Sequence, residues 1–286
     1  MLAIRHILFP LDFSDRGCGA APFVEAMASR FGARITLLSA AAPFRFNGMG
    51  DAGVAIDPEE ILEEVKRNLD TALIREFAHL PVKRIAEFGD PAQVIVDFAR
   101  NNGVDLIMMP THGYGPFRAL LLGSVTAKVL HDAECPVWTA THTDSAPARE
   151  HVKPRAILCA VDGTEKSHGL MRWAADLATA NGALLRLVHV IAGVEGWPPH
   201  HVDRQLEEDM RQQARQRITA MQASARIEAP LCVAVGNVAD AVREEARRHG
   251  GDLIVIGRGV LQERLGRLRT HAYGIIRQSP CPVLSV

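Results

Sequence analysis

Short apolar runs alternate with amphipathic stretches along the whole chain. Ile4 to Leu11 shows little polar alternation, the pattern of a central parallel strand covered on both faces. A helix follows, entered near Pro22 at a first-turn position, with Phe23, Met27 and Phe31 inward and Gly32 as its stop. Ile35 to Ala40 reads as the second strand. After a loop over 41–56, Asp57-Pro58-Glu59-Glu60 announces a helix: a capping side chain, a proline at N1 and two early acids. Ile61, Val65, Leu69, Leu73 and Phe77 give that helix its apolar stripe. Val82 to Glu87 is the third strand, and Gly89-Asp90-Pro91 opens a helix that buries Val94, Ile95 and Phe98 and ends at Gly103. Leu106 to Met109 and Val137 to Thr141 complete five strands. Strands alternating with helices in this way predict parallel β-α-β units and an open, doubly wound α/β sheet flanked by helices.

The pattern then occurs again. RHILFPLDFS, starting at Arg5, matches RAILCAVDGT, starting at Arg155, an offset of 150 that also superimposes Asp12 on Asp162 and Gly32-Ala33 on Gly182-Ala183. Asp105-Leu106-Ile107 matches Asp252-Leu253-Ile254 at an offset of 147, and Cys135-Pro136-Val137 matches Cys281-Pro282-Val283 at 146. Two copies of one domain, the second with small deletions, account for these matches; a period this long is a duplicated domain rather than a solenoid. Strands near Ile157, Leu187, Val233, Ile254 and Val283 are expected in the second copy. The domains are placed at 1–142 and 153–286, joined by THTDSAPAREHVKP over 141–154, whose small, charged and proline residues suit an exposed connection.

Composition narrows the function classes. A chain of 286 residues with 48% hydrophobic and 23% charged residues is globular and long enough for two cores. A net charge of -1 argues against a nucleic-acid footprint, and the basic run Arg211 to Arg217 follows Glu207, Glu208 and Asp209, as on a solvated helix face. No apolar run reaches the ~18 residues a membrane span requires. Asp12 stands where a signal peptide would need an apolar centre, and five cysteines without a C-x-x-C pair fit reduced thiols, so a cytoplasmic protein without a zinc site is expected.

Asp105 to Leu130 carries the candidate chemistry. A buried strand ends at Met109, a loop holds Thr111, His112, Gly113 and Gly115, and Gly123-Ser124 introduces a helix with Val125, Val129 and Leu130 on one face. A strand, a glycine-bearing loop and a helix start present backbone N–H groups to an anion, so phosphate is expected here, with the Ser124 hydroxyl as a further donor. Ligands of doubly wound sheets bind outside the carboxyl ends of the strands, where the Asp12 turn also lies. Asp12 and Asp162 have two readings, a cap or turn residue or an acceptor for a ribose or base, and spacing does not separate them.

Other motifs are weaker. Gly48-Met49-Gly50-Asp51-Ala52-Gly53 matches G-x-G-x-x-G, but residues intervene between it and both the preceding strand and the following helix, so it reads as a loop rather than a dinucleotide site. His200-His201 beside Trp197-Pro198-Pro199 lacks partners spaced for a metal and reads as surface. No P-loop and no nucleophile elbow is present, so Ser124 is a capping or phosphate-binding hydroxyl and no catalytic residue is assigned.

Taken together these motifs make the chain resemble a tandem, two-domain universal stress protein over its whole length. Adenine-nucleotide-binding members carry G-x2-G-x9-G-[S/T] after the fourth strand. Here Thr111-His112-Gly113, nine residues from Tyr114 to Leu122, and Gly123-Ser124-Val125-Thr126 fit all but the first position, which is Pro110. Pro110 removes an N–H and restricts Met109; it is tolerated where the position contributes only its carbonyl or shape. The strand-one residues Pro10-Leu11-Asp12-Phe13-Ser14 and the turn Gly89-Asp90-Pro91-Ala92 are also similar to the family. The resemblance implies an adenine nucleotide α-hydrolase-like fold and a first domain that binds ATP or AMP, with Mg2+ as the accompanying ion. Gly113, Gly123, Ser124 and Thr126 would hold phosphates, and Asp12, Ala40 and Met109 would line the adenosine. In the second copy Gly257-Arg258-Gly259 opens a loop one residue shorter, and Arg269-Thr270 replaces the Gly-Ser pair, a degenerate motif expected to serve packing. Family members associate through their last strands, which would pair Pro136-Val137 with Pro282-Val283 inside one chain and leaves a further homodimer open. Turnover needs a metal, a base and an activated water; His112 is the one titratable loop candidate, so a binding module is favoured over a slow ATP hydrolase or a nucleotide-free scaffold.

Overall fold

A computed structural model describes residues 2–41, 57–111, 122–140, 152–192, 204–258 and 271–286. The G-x-G-x-x-G match at Gly48–Gly53, His200-His201, His112, Gly113, Gly259, Arg269 and Thr270 lie outside these residues, as does most of the 141–154 connection. The chain forms two compact units whose bodies are residues 3–138 and 153–286.

The first unit runs β1 (His6–Pro10), α1 (Asp15–Gly19), α2 (Ala21–Phe31), β2 (Arg34–Ala41), α3 (Pro58–Thr71), β3 (Val82–Phe88), α4 (Pro91–Asn101), β4 (Leu106–Met109), α5 (Ser124–Asp132) and β5 (Val137–Thr139). Its strand order is β3-β2-β1-β4-β5, and β1 pairs in parallel with both β2 and β4. The order reverses between β1 and β4, the place where an open α/β sheet receives a ligand. β1 and β4 are buried at every position, as expected of strands covered on both faces. Phe9 and Phe77 meet edge to face at 6.3 Å in this core.

Local chemistry explains the boundaries. Asp57 and Asp90 accept bonds from Glu59 N and Gln93 N, with a proline at the start of each helix behind them. The stripe expected to run from Ile61 to Phe77 in one helix breaks after Thr71, and Leu73 adopts a φ of 53°. Arg84, reaching back from β3, donates to the carbonyls of Leu69 and Ala72 at 2.9 Å each, so the helix end is satisfied without a glycine. Phe77 is buried beyond that stop. α2 buries Ala21, Val24, Met27 and Ala28; Phe23 and Phe31 are half-buried, and the Phe23 ring packs on the buried Trp138 with centroids 4.9 Å apart.

The second unit repeats the plan with β6 (Ala156–Val161), α6 (Lys166–Asn181), β7 (Leu184–Ala192), α7 (Arg204–Ala225), β8 (Leu231–Gly236), α8 (Val238–Arg248), β9 (Leu253–Ile256), α9 (His271–Gln278) and β10 (Val283–Ser285), in the order β8-β7-β6-β9-β10. The repeated aspartate before the fourth strand is a structural clip. Asp105 accepts from the N–H groups of Arg5 and His6, and Asp252 does the same for Arg155 and Ala156, fastening the first strand of each sheet to its neighbour.

His6 gives this clip a pH dependence. It is buried, with Nε2 2.8 Å from Thr36 Oγ1 and Nδ1 3.1 Å from the Arg34 guanidinium. Burial and Arg34 lower its pKa below 6.5, against raising contributions from the Asn102 and Gly103 carbonyls and Asp105. The folded state therefore binds the proton less readily than the unfolded chain. This stabilisation is complete above pH 6.5 and is lost as pH falls below it toward the folded pKa. Urea midpoints measured from about pH 7 down to pH 5 are expected to fall less steeply in His6→Gln than in the native chain; parallel curves would contradict this.

Candidate nucleotide site

The carboxyl ends of β1, β2 and β4 carry the first domain's candidate residues. β1 pairs Pro10 with Leu38 of β2, so the half-buried Ala40 stands two residues further along β2. Leu8 pairs with Ile107, and the same parallel register carried two residues on brings Pro10 beside Met109. Pro10, Leu11 and Met109 are buried and Pro110 is half-buried, so they form the floor of the edge. Leu11 N–H donates to Leu38 O at 2.9 Å, extending the β1–β2 pairing past the end of the strand.

Asp12 leaves this floor for solvent. Its Oδ1 accepts from Ser14 N at 3.1 Å and from Ser14 Oγ at 2.6 Å, and Ser14 Oγ in turn accepts from Gly17 N at 3.0 Å. Ser14 is thus the cap of α1, and Asp12 is the turn acceptor that orients it. Between them Phe13 sits at φ 58°, a left-handed conformation that costs a bulky residue free energy and is held by these bonds. Gly17 makes the arrangement possible: a Cβ there would lie 2.6 Å from Asp12 Oδ1. The sequence gives Ser14 no role of its own and does not single out Gly17. The visible signal was a small residue three positions after a serine, as a tight capped turn requires.

α5 is fastened to the end of β4 by two bonds. Gly123 N–H donates to Thr111 O at 3.0 Å, and the buried Thr126 Oγ1 donates to Pro110 O at 3.1 Å. Pro110 therefore contributes its carbonyl, the one role in which a missing N–H costs nothing. The first bond within the helix is Ala127 N–H to Gly123 O, so the N–H groups of Ser124, Val125 and Thr126 precede any intrahelical partner. Ser124 is exposed, Val125 half-buried, and Gly123 has φ -55° and ψ 140°. Lys128 reaches Asp90 at 3.0 Å, tying α5 to the cap of α4. The Gln93 N–H and Lys128 hold the Asp90 carboxyl below its ordinary pKa. Together these contacts fix a nine-residue helix with its positive end at the sheet's switch point, beside a serine hydroxyl.

The second domain has the same turn in another form. Asp162 Oδ1 accepts from Thr164 N at 2.9 Å, Thr164 Oγ1 at 2.8 Å and Ser167 Oγ at 2.6 Å. Burial raises its pKa, but the hydrogen bonds from Ser167 and Thr164 outweigh burial and hold it below the usual carboxylate value. A cavity of about 670 Å³ opens at this edge, lined among the described residues by Asp162, Ser167, Leu170, Val188, Ile256 and Ile275. Among the described residues no helix is long and apolar enough to cross a membrane.

The family model described as the universal stress protein family matches residues 3–140 and again 154–286. A universal stress protein of Methanocaldococcus jannaschii is 28% identical over 157 residues, covering 49% of this chain and 97% of its own. One from Thermus aquaticus is 32% identical over 136 residues, covering 46% of this chain and 96% of its own. The crystal structure of a universal stress protein from Archaeoglobus fulgidus shares the fold, with a TM-score of 0.70 at 20% identity over 98% of this chain and 97% of that one. Two matches that together span the chain from residue 3 to residue 286 leave one conclusion: the chain belongs to the universal stress protein family, as a tandem of two of its domains.

Proposed function

We propose that the first domain binds an adenine nucleotide, ATP or AMP, as a stress-response or signalling module without efficient turnover. The observation that carries this reading is the anchored start of α5. Thr126 and Gly123 tie it to Pro110 and Thr111 at the carboxyl end of β4, and the Ser124, Val125 and Thr126 amides precede the first intrahelical bond. A fixed set of amides at a helix N-terminus is a phosphate receptor that needs no cationic side chain. The motif from Pro110 to Thr126, which resembles that of the nucleotide-binding members at all but its first position, supports the same ligand.

Binding is favoured over hydrolysis by what the described edge contains. Of the carboxylates at the described edge, Asp12 is committed through Oδ1 to Ser14, and Asp90 to the Gln93 N–H and Lys128. Magnesium, where it accompanies the nucleotide, would neutralise phosphate charge. The protein's part is to hold the phosphates by backbone N–H groups and to shape the adenosine pocket.

Thermal unfolding with and without nucleotide separates the readings. ATP at about 100 times its dissociation constant stabilises the domain that binds it by about 2.7 kcal/mol, because a ligand of the native state alone raises its stability. A midpoint unmoved by either ATP or AMP would leave only the scaffold reading. Stoichiometric phosphate release over hours would make the protein a hydrolase instead.

A further inference from the structure

Each unit's sheet ends in a strand with one side unpaired, β3 in the first and β8 in the second. Such an edge presents a row of N–H and C=O groups that another chain can pair with. The two edges are treated differently. In β8 the bond from Leu187 N–H to Pro230 O and the register turn the Leu231 and Val233 carbonyls outward. Arg215 donates to Leu231 O at 3.4 Å and Arg211 to Val233 O at 2.8 Å, with Glu207 steadying Arg211. That edge is covered by its own helix, α7. In β3 the bonds from Ile35 N–H to Pro81 O and from Gly89 N–H to Ala41 O show that Lys83, Ile85 and Glu87 turn their backbone groups to β2. The N–H and C=O groups of Val82, Arg84, Ala86 and Phe88 therefore point off the sheet, and none meets a hydrogen-bond partner among the described residues. The one arginine here, Arg84, directs its side chain to the end of α3 instead.

We propose that β3 is the strand through which a second copy of this chain pairs, antiparallel, about a two-fold axis beside Ile85. Its sequence, VKRIAEF, is complementary to itself in that register. Pairing centred on Ile85 sets Val82 opposite the partner's Phe88 and Arg84 opposite the partner's Ala86. Each such pair can exchange two backbone bonds, because all four residues face outward. Lys83 then lies opposite the partner's Glu87 in the closer, non-hydrogen-bonded kind of pair, and the axis repeats this contact. A lone edge lysine deters pairing; here a glutamate four residues on answers it. Lys83 is exposed and Glu87 half-buried, and neither has an ion-pair partner among the described residues. Phe88, which is 43% exposed, is covered by Val82 of the other copy. Centring on Arg84 instead sets Lys83 opposite Ile85 and carries Phe88 past the facing strand. Centring on Ala86 sets Ile85 opposite Glu87 and leaves Val82 unpaired. A foreign extended segment would find the same backbone groups without this matched pair of charges.

Sedimentation of the full chain from about 1 μM to about 1 mM spans the affinities expected of so small an interface. The native chain is expected to pass from monomer to dimer over that series. Lys83→Glu and Glu87→Lys each set like charges opposite one another on both sides of the axis, and each is expected to weaken the dimer by about tenfold or more. An equimolar mixture of these two variants is expected to associate again, as heterodimers, because every carboxylate then faces a lysine. The swap Lys83→Glu/Glu87→Lys is expected to restore the dimer within one chain. Ala86→Pro removes an outward N–H that the monomer does not use, a change an edge strand accepts, and is expected to weaken pairing to the same extent. Circular dichroism and urea midpoints confirm that each variant folds. A native chain that stays monomeric throughout overturns the proposal and leaves the edge to a foreign segment. A dimer indifferent to Ala86→Pro and to both charge variants overturns β3 as its interface, and loss in the single variants without recovery in their mixture overturns the register. None of these results bears on the amides of α5, so the two readings fail separately.

Discussion

Gly123→Arg is expected to reduce ATP affinity by about 100-fold or more, equivalent to about 2.7 kcal/mol, while leaving the fold intact. Gly123 has φ -55° and ψ 140°, a conformation open to any residue, so the backbone takes an arginine without strain. Its N–H still donates to Thr111 O, and its carbonyl still accepts from Ala127 N–H. What changes is the space in front of the Ser124, Val125 and Thr126 amides, which a long side chain now occupies. An arginine can also attract phosphate from outside. Gly123→Glu is therefore the companion variant, because it blocks the same space with a repelling charge. Titration of both, with circular dichroism to confirm folding, measures the effect, and native-like affinity in the pair removes the site assignment.

Phe9→Ala is expected to lower the stability of the first domain by about 3–5 kcal/mol, the cost of truncating a fully buried aromatic. Phe9 is 0% exposed on the central strand β1, and its ring edge meets Phe77, the residue that seals the stretch beyond α3. The loss is a large share of the ~5–15 kcal/mol that holds an ordinary domain together. The carboxyl end of β1 carries Pro10, Leu11 and the Asp12 turn, so nucleotide binding is expected to weaken as this strand loosens. Urea unfolding of the native and variant chains reads the change. A loss under about 1 kcal/mol would mean that the core collapses around the gap.

Much of this architecture was legible in the order of residues because its signals are local. Asp57-Pro58 and Asp90-Pro91 combine a cap with a preset φ, and both helices start there. The short apolar runs at β1 and β4, bounded by turn residues, have the pattern of strands buried on both faces, and both are. The repeat showed where the second copy begins, and the structure adds why Asp105 and Asp252 recur: each bonds the backbone of a strand about 100 residues earlier.

The features that escaped depend on partners distant in sequence. The end of α3 is set by Arg84, whose bonds to Leu69 and Ala72 stand in for the missing glycine, while Leu73 and Phe77 keep the helical spacing after the helix has stopped. α1 is five residues long, too short for any periodicity to show. Phe13's left-handed backbone has no compositional signature, since a phenylalanine there argues for the opposite. At the site, the resemblance implied the edge residues, while Gly123-Ser124 in the sequence marked the start of α5. The bond from Thr126 to Pro110, which explains the proline in a glycine position, needed coordinates. The hollow in the second domain was invisible for the same reason, because it lies between α6, α8, α9 and the ends of three strands.

The proposed site depends on backbone amides at the start of α5 gripping a phosphate chain. Calorimetric titration of the full chain with ATP, run beside Gly123→Arg, tests this most directly. Saturable binding at a single site is expected in the native chain, with its loss in the variant. An absence of binding heat in the native chain, or the same isotherm from both proteins, would contradict it.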